Sequence, residues 1–445
     1  MLARCDNRHV LFLQGTGSRF FACLADKLQG LDIETSKIHL CFGDWLFWRR
    51  KSKTNCTTSY RGTRQNWSTF VQDYILERGV TDIVLFSDSR SYHSVAAKVA
   101  KSMGVNVFVF ENGYVRPSWI TMERDGVNGR SNFPRDRDEI RNLCIEAAKS
   151  TVTFPGGSPS DAMKLYFGDT TFHTLNFAFG LTFPNYKGFR DIHALQEARG
   201  WITKAIFRRG KVKRSKQALE KLFAGNAPMF FFPLQLEHDY QLKIDSPFDT
   251  LEQATNKVIA SFAANAPADA LLLVKNHPLD NNIIDREVET ARLAGKHGIA
   301  DRIIFIEAGS NPEILKRSRG MVTINSTMGT AALFHKVPMC VLGDAIYNIK
   351  GLVHDGGLDS FWQSSEPFDL EFSLIFREAL IYFCQIQGHY SETDKDAGVF
   401  EHCAAKILTT NANSPHKPVD VSNVAEIDNS SGGAPAQNVE KQPID

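Results

Sequence analysis

Several short segments of this chain group carboxylates, cations and hydroxyls just after apolar runs. The densest is Phe110-Glu111-Asn112-Gly113-Tyr114-Val115-Arg116-Pro117, followed by Glu123, Asn128 and Ser131. A carboxylate directly behind a buried strand lies where a parallel sheet presents its ligands. Gly113 permits close backbone approach, and Arg116 can grip a carboxylate through two parallel hydrogen bonds. The plain alternative is a surface turn carrying an ordinary Glu–Arg pair. Ser87-Asp88-Ser89-Arg90-Ser91-Tyr92-His93 follows another apolar run. Helix capping accounts for one of those side chains, not for four.

Three further segments suit an anionic ligand. Lys275-Asn276-His277-Pro278 sets a cation and an imidazole at a strand end, with Pro278 holding His277 extended. Asn325-Ser326-Thr327-Met328-Gly329 reads as a hydroxyl loop entering a helix, an arrangement that gathers hydroxyls and amides on a phosphate. Its alternative is an N-cap without a ligand. Gln14-Gly15-Thr16-Gly17-Ser18 is either an anion loop or a tight turn. A dinucleotide fingerprint needs glycine at position 20, which is Phe20, so NAD or FAD binding is rejected. The polar 351–362 loop could border the same ligand cleft, with an ordinary surface loop as the favoured reading.

Metal chemistry finds no H-E-x-x-H motif, and Asp136-Arg137-Asp138 sits in a run of alternating charge that reads as a solvated face. No P-loop and no G-x-S-x-G motif is present. Two basic stretches, Trp45-Leu46-Phe47-Trp48-Arg49-Arg50-Lys51 and Arg208 to Lys216, suit contact with anionic headgroups or plain solvation.

Positioning these groups requires strands that alternate with helices. Strand patterns fall at 9–13, 38–42, 82–86 and 106–110, then at 229–234, 271–275, 302–306, 320–324 and 339–342. Helical periodicity fills the gaps, so parallel sheets built from βαβ units follow. The expected fold class is α/β: two Rossmann-like domains facing a cleft, GT-B-like, with a helical connector and a disordered C-terminal tail. The divisions are 1–130, a connector over 131–225, a second domain over 226–365, helices over 366–410 and the tail over 411–445.

The composition fits a globular protein: 445 residues, 43% apolar, 51 Lys plus Arg against 50 Asp plus Glu, net +1. That balance argues against nucleic acid as a partner. No apolar run approaches the ~18 residues a membrane span needs. Eight scattered cysteines without a C-x-x-C pair suggest reduced thiols and a cytoplasmic protein.

Taken together, the motifs resemble the capsule polysaccharide biosynthesis/export family, in its KpsS- and LpsZ-type branch. The resemblance runs through most of 9–365. It rests on Gln14-Gly15, Gly43-Asp44-Trp45, Asp88-Ser89-Arg90 with Tyr92-His93, Glu111-Asn112-Gly113-Tyr114 with Arg116-Pro117, Gly126-Val127-Asn128, Pro233-Leu234-Gln235, His277-Pro278 and Asn325-Ser326-Thr327.

The resemblance implies a retaining β-Kdo transferase that uses CMP-Kdo as donor, with no further cofactor and no metal. It implies a glycolipid acceptor such as (lyso)phosphatidylglycerol, a peripheral place at the cytoplasmic face of the inner membrane, and other capsule biosynthesis or export proteins as partners. Lys275, His277, Ser326, Thr327 and Gly329 are then expected to hold the CMP moiety. Gln14, Gly15, Arg90, Arg116 and Asn128 are expected on the sugar or acceptor. Related modules carry an acidic pair before the glycine; here its second member is Asn112. Glu111, Asp88 and Glu123 are therefore the candidate nucleophiles, in that order, with His277 assisting the leaving group. The rival expectations are a GT-B enzyme for another sugar nucleotide and a non-catalytic export or processing component.

Overall fold

The computed structural model describes residues 8–49, 56–115, 118–149, 161–188, 194–237, 240–363, 369–394 and 397–409. Arg116, Arg50, Lys51 and the expected tail at 411–445 lie outside the described residues.

The first domain comprises β1 (His9–Phe12), α1 (Phe20–Gly30), β2 (Glu34–His39), α2 (Phe42–Phe47), β3 (Cys56–Ser59), α3 (Trp67–Arg78), β4 (Asp82–Phe86), α4 (Ser91–Ser102), β5 (Asn106–Asn112) and β6 (Trp119–Arg124). Three helices follow: α5 (Arg137–Lys149), α6 (Asp161–Ala178) and α7 (Ala194–Ala224). The second domain comprises β7 (Met229–Pro233), α8 (Tyr240–Ile244), α9 (Leu251–Asn265), β8 (Leu271–Lys275), α10 (Arg286–Lys296), β9 (Ile303–Ile306), α11 (Asn311–Arg317), β10 (Gly320–Thr323), α12 (Met328–Phe334), β11 (Met339–Val341) and α13 (Leu358–Phe361). The described chain closes with α14 (Leu370–Cys384), β12 (Gln385–Gln387) and α15 (Gly398–Thr409).

The second sheet is wholly parallel, ordered β11-β10-β7-β8-β9. Its strands are unbroken apolar runs such as Leu272-Leu273-Val274, all fully buried, because helices cover both faces. The first sheet is ordered β12-β6-β5-β4-β1-β2-β3. It is parallel from β3 to β5 and antiparallel at β6 and β12. The fold is thus the expected α/β pair of Rossmann-like domains, with one mixed edge.

Two differences from the sequence reading have physical causes. The strand expected at 38–42 begins at Glu34 and stops at His39. Its Thr35, Ser36 and Lys37 are buried polar residues, so the apolar signal is missing there. The β6 strand is reached through a sharp turn at Gly113, where a Cβ would lie 2.2 Å from the Trp119 carbonyl oxygen. Only glycine tolerates that approach.

One hydrophobic cluster spans both domains. Tyr114, Val115, Phe133 and Ile140 from the first domain and α5 pack with Phe231, Leu273 and Met321 of the second sheet and Phe372 and Phe376 of α14. The chain end then returns to the first domain. There α15 lies on α1, with the Phe20 and Phe400 rings 4.8 Å apart and Lys27 3.1 Å from Glu401.

Candidate active site

The turn after β5 and the segment after β6 meet the second domain: Tyr114 lies against α12, and Gly129, Arg130 and Arg135 lie against the residues that follow α8 and β11. Among the described residues, Arg135 bonds the Ala345 carbonyl and lies 3.8 Å from Asp344, and two further contacts join the domains. Thr330 Oγ1 lies 2.6 Å from the Tyr114 carbonyl oxygen, and Arg130 pairs with Asp245.

In the first domain, Gln14 is buried and fully engaged. Its amide nitrogen donates to Cys41 and to Tyr186 Oη, each at 3.2 Å. Its carbonyl accepts from Arg90 Nη1 at 3.3 Å, and Arg90 also donates to the Gly15 carbonyl at 3.2 Å. Gln14 and Gly15 therefore orient Arg90, which lies over the Phe86 ring. Burial lowers the Arg90 pKa, and the Glu111, Asp169 and Asp44 carboxylates act against that. Gly17 is covered: its amide donates to Asp169 at 3.1 Å, and α6 crosses it backbone to backbone at Gly168. Its share of the anion-loop reading is met by the protein's own carboxylate.

In the same domain Lys37 and Asp44 form a buried pair at 2.6 Å, and Lys37 also donates to the Leu13 carbonyl at 2.8 Å. The pair ties the loop after β1 to the one after β2.

The turn after β4 is held by His93. Its Nδ1 donates to the Phe86 and Ser87 carbonyls at 2.7 and 3.1 Å. Carbonyl oxygens only accept, so the ring proton sits on Nδ1. Burial, with the Arg90 charge adding to it, pushes the His93 pKa down to about 3. Ser87 at this turn takes φ +58.

The three candidate nucleophiles differ sharply. Glu111 is half-buried at the end of β5, and its Oε1 accepts from the Asn112 amide at 2.9 Å. Its carbonyl accepts from Tyr390 Oη at 2.8 Å. Asp88 is bound by Arg130 through both oxygens, at 3.0 and 2.6 Å. Glu123 is 3% exposed and accepts from Tyr114 Oη at 2.8 Å and from Ser131 Oγ. Burial raises its pKa to about 7. Asn128 is buried beside it, with its backbone amide 2.6 Å from Tyr114 Oη.

In the second domain, Lys275 is buried and its Nζ donates to the neutral Asn311 side chain at 2.7 Å. Burial lowers its pKa. His277 accepts the Leu279 amide on Nδ1 at 3.1 Å, so the neutral ring carries its proton on Nε2. Ser326 Oγ accepts the Met328 amide at 3.2 Å, whereas the Thr327 side chain makes no capping bond. Gly329 is glycine for a packing reason, since a Cβ there would lie 2.1 Å from the Tyr347 ring. The 351–362 loop is elsewhere. The His354 amide bonds the carbonyl of Met339, at the far edge of the sheet, and Trp362 is core.

Sequence reasoning missed Arg130 and Asp245. Arg130 also donates to Ser89 Oγ at 2.8 Å. Burial works against its charge, but Asp88 and Asp245 outweigh that and hold it protonated. The Asp245 carbonyl accepts from Asn325 Nδ2 at 3.1 Å and from the Asp344 amide at 2.6 Å. Gln235 locks Asn325 in turn, at 2.8 and 3.1 Å. The only sequence clue was nearness to the Gly126-Val127-Asn128 and Pro233-Leu234-Gln235 motifs. Among the described residues no group of metal-ligating side chains could hold an ion, and Asp136 serves as a cap for α5.

The class of molecule is therefore a two-domain α/β protein whose domains meet through polar contacts near the strand ends. The family profile described as capsule polysaccharide biosynthesis protein matches residues 81–390, and the chain belongs to that family. It is 30% identical over 387 residues to the Escherichia coli capsule polysaccharide export protein KpsS, covering 86% of this chain and 97% of that one. It is equally 30% identical over 389 residues to the capsule polysaccharide modification protein LipB of Neisseria meningitidis serogroup A, covering 86% and 91%. Among solved structures, the β-Kdo 2,7 transferase of Thermosulfurimonas dismutans KpsC aligns with a TM-score of 0.42 at 12% identity, over 89% of this chain and 98% of that one.

Proposed function

We propose that this capsule-family protein is a metal-independent, retaining transferase that moves Kdo from CMP-Kdo to a (lyso)phosphatidylglycerol or related glycolipid acceptor. It works as a peripheral cytoplasmic protein at the inner membrane, alongside other capsule biosynthesis or export proteins. The observation that supports the reading is the junction of the two domains near their strand ends: Tyr114, three residues past Glu111, meets Thr330 of the helix that Ser326 and Thr327 lead into. Glu111 and Arg90 lie at strand ends of the first sheet, and Lys275, His277, Ser326 and Thr327 at those of the second.

Glu111 is the nucleophile in this account. Asp88 is neutralised by a two-point arginine pair, and both oxygens of Glu123 accept bonds inside the protein. A Glu111 oxygen attacks the anomeric carbon, the bond from that carbon to the phosphate oxygen breaks, and CMP leaves with the electron pair. Lys275, the Nε2 proton of His277 and the Ser326 and Thr327 hydroxyls stabilise the departing phosphate. The acceptor hydroxyl then attacks the same carbon, giving its proton to the phosphate of CMP as the bond to Glu111 breaks. Two inversions return the starting configuration. Arg90 holds the sugar carboxylate, with Arg116 expected to assist.

A thermal-shift comparison of CMP with UDP tests the donor, since a bound ligand raises apparent stability. CMP is expected to stabilise and UDP is not. A response to UDP alone would favour another sugar nucleotide. Full transferase activity in both Glu111→Gln and His277→Ala would exclude the scheme.

A further inference from the structure

The outer face of α6 and the turn that follows it is unusual for a helix in water. Between Phe167 and Phe183 the one carboxylate is Asp169, which accepts the Gly17 amide at 3.1 Å, and the one basic residue is His173. The inner face is committed to the first domain. Asn176 accepts the Gly43 amide at 2.7 Å, and Phe172 packs on Gly43. The outer face carries Phe167 at 73% exposure, Phe177 at 71% and Leu181 at 95%. A solvated helix ordinarily turns charge outward, and an exposed apolar patch marks an interaction surface.

The patch continues from α6 onto α2 through neighbouring rings. Phe179 stacks on Phe42 at 4.3 Å, and Phe42 lies 5.3 Å from Trp45, itself exposed. Arginines fringe it. Arg49 lies over the Trp45 ring. Arg19 donates to the Arg49 carbonyl at 3.1 Å. Arg61 donates to the Thr182 carbonyl at 3.1 Å and lies over the Phe183 ring.

Of the two basic stretches noted in the sequence, neither forms such a face by itself. Trp48 is buried against Phe12. On α7, Lys211 pairs with Glu307 at 2.7 Å and Arg214 with Glu287 at 3.2 Å.

We infer that the α6 face, from Phe167 to Leu181 with Trp45, is a docking surface for an anionic lipid bilayer. Aromatic and leucine side chains enter the headgroup boundary, and the arginine fringe meets phosphates. A second copy of the chain fits less well, because in a two-fold contact the same patch would have to supply the counter-charges for its own arginine fringe, whereas an anionic bilayer supplies them. Because α6 crosses the loop after β1, docking there sets the strand-end edge of the first sheet one helix away from the lipid surface. The inference deepens the proposed function by naming the surface that meets the membrane, and it rests on that reading only for the acceptor being lipid-linked.

The test is vesicle co-sedimentation of the full chain with no sugar nucleotide present. Vesicles of phosphatidylcholine alone are compared with vesicles containing phosphatidylglycerol. The wild type is expected to bind the anionic vesicles, and binding should weaken as salt rises. Phe177→Glu with Leu181→Glu is expected to lower binding by about tenfold or more, and Arg49→Glu with Arg61→Glu by about fivefold or more. All four positions are exposed, and a melting curve confirms that each variant folds. No sedimentation with either vesicle would overturn the assignment. So would wild-type binding by the Phe177 and Leu181 variant, or binding that is equal on neutral vesicles and insensitive to salt. Transfer to a soluble acceptor by a chain that does not sediment would remove this surface and leave the proposed chemistry standing. Sedimentation lost in the variants, from a chain that transfers no sugar, would do the reverse.

Discussion

Arg130 and Asp245 join the two domains. The Arg130 guanidinium is fixed on its own side by both oxygens of Asp88 and by Ser89, and Nη1 is left to reach Asp245. The other Asp245 oxygen is buried with no hydrogen-bond partner among the described residues. Burial pushes the Asp245 pKa up to about 6, against the pull of Arg130.

Removing the cation strands two buried carboxylates. Arg130→Met is expected to cost about 3–5 kcal/mol, because an uncompensated buried charge costs more than a lost pair gains. Asp245→Asn keeps an acceptor for Nη1 and removes a charge whose native pKa is already raised, so it should cost far less. Urea unfolding of both variants checks the order; equal losses would contradict it.

The buried histidines set an acid dependence. Burial lowers His39 to about 4 and His93 to about 3. In the unfolded chain each takes a proton near 6.5, so their contribution is complete above that pH and is lost as pH falls. At pH 5 the loss is about 2 kcal/mol for each. Glu123, raised to about 7, acts oppositely: its contribution is present at low pH and is lost as pH rises through 7. The net curve is therefore shallow, and the histidine effect shows in a difference. The stability gap between wild type and His93→Gln should narrow from pH 7.5 to pH 5 by about 2 kcal/mol. A gap independent of pH would contradict the neutral assignment.

Lys275 separates binding from stability. A buried ammonium whose partner is a neutral amide adds little to folding. Lys275→Met is expected to leave the melting temperature unchanged or raised, while weakening CMP binding by about tenfold or more, as expected for a charge-assisted phosphate contact. Calorimetry and a melting curve on one preparation decide this. A destabilised variant with intact CMP affinity would make Lys275 a purely structural residue.

Gly329 makes a packing prediction. A methyl group there meets the Tyr347 ring, so Gly329→Ala should cost about 1–3 kcal/mol by overpacking. In a double-mutant cycle with Tyr347→Ala the two losses should be less than additive. Full additivity would mean that the glycine serves something other than the ring.

The strands of the second domain were legible because burial on both faces leaves unbroken apolar runs, as at 271–275. The β2 strand was misplaced because Lys37 and Ser36 are buried through the Asp44 pair and the His9 bond rather than through apolarity. The antiparallel pair β6 and β12 depends on a partner far along the chain, Gln385 opposite Thr121, which no local pattern reveals. Glu111 and Lys275 stood out because each follows an apolar run directly. Arg130 and Asp245 did not, because their roles come from each other across the domain junction.

The most direct measurement is mass spectrometry of a reaction containing the purified chain, a CMP-Kdo generating system and lysophosphatidylglycerol. The account predicts an acceptor heavier by one or more Kdo units with the wild type and an unchanged acceptor with Glu111→Gln. An unchanged acceptor with the wild type, together with no CMP binding, would contradict the transferase reading and leave a non-catalytic role in capsule export.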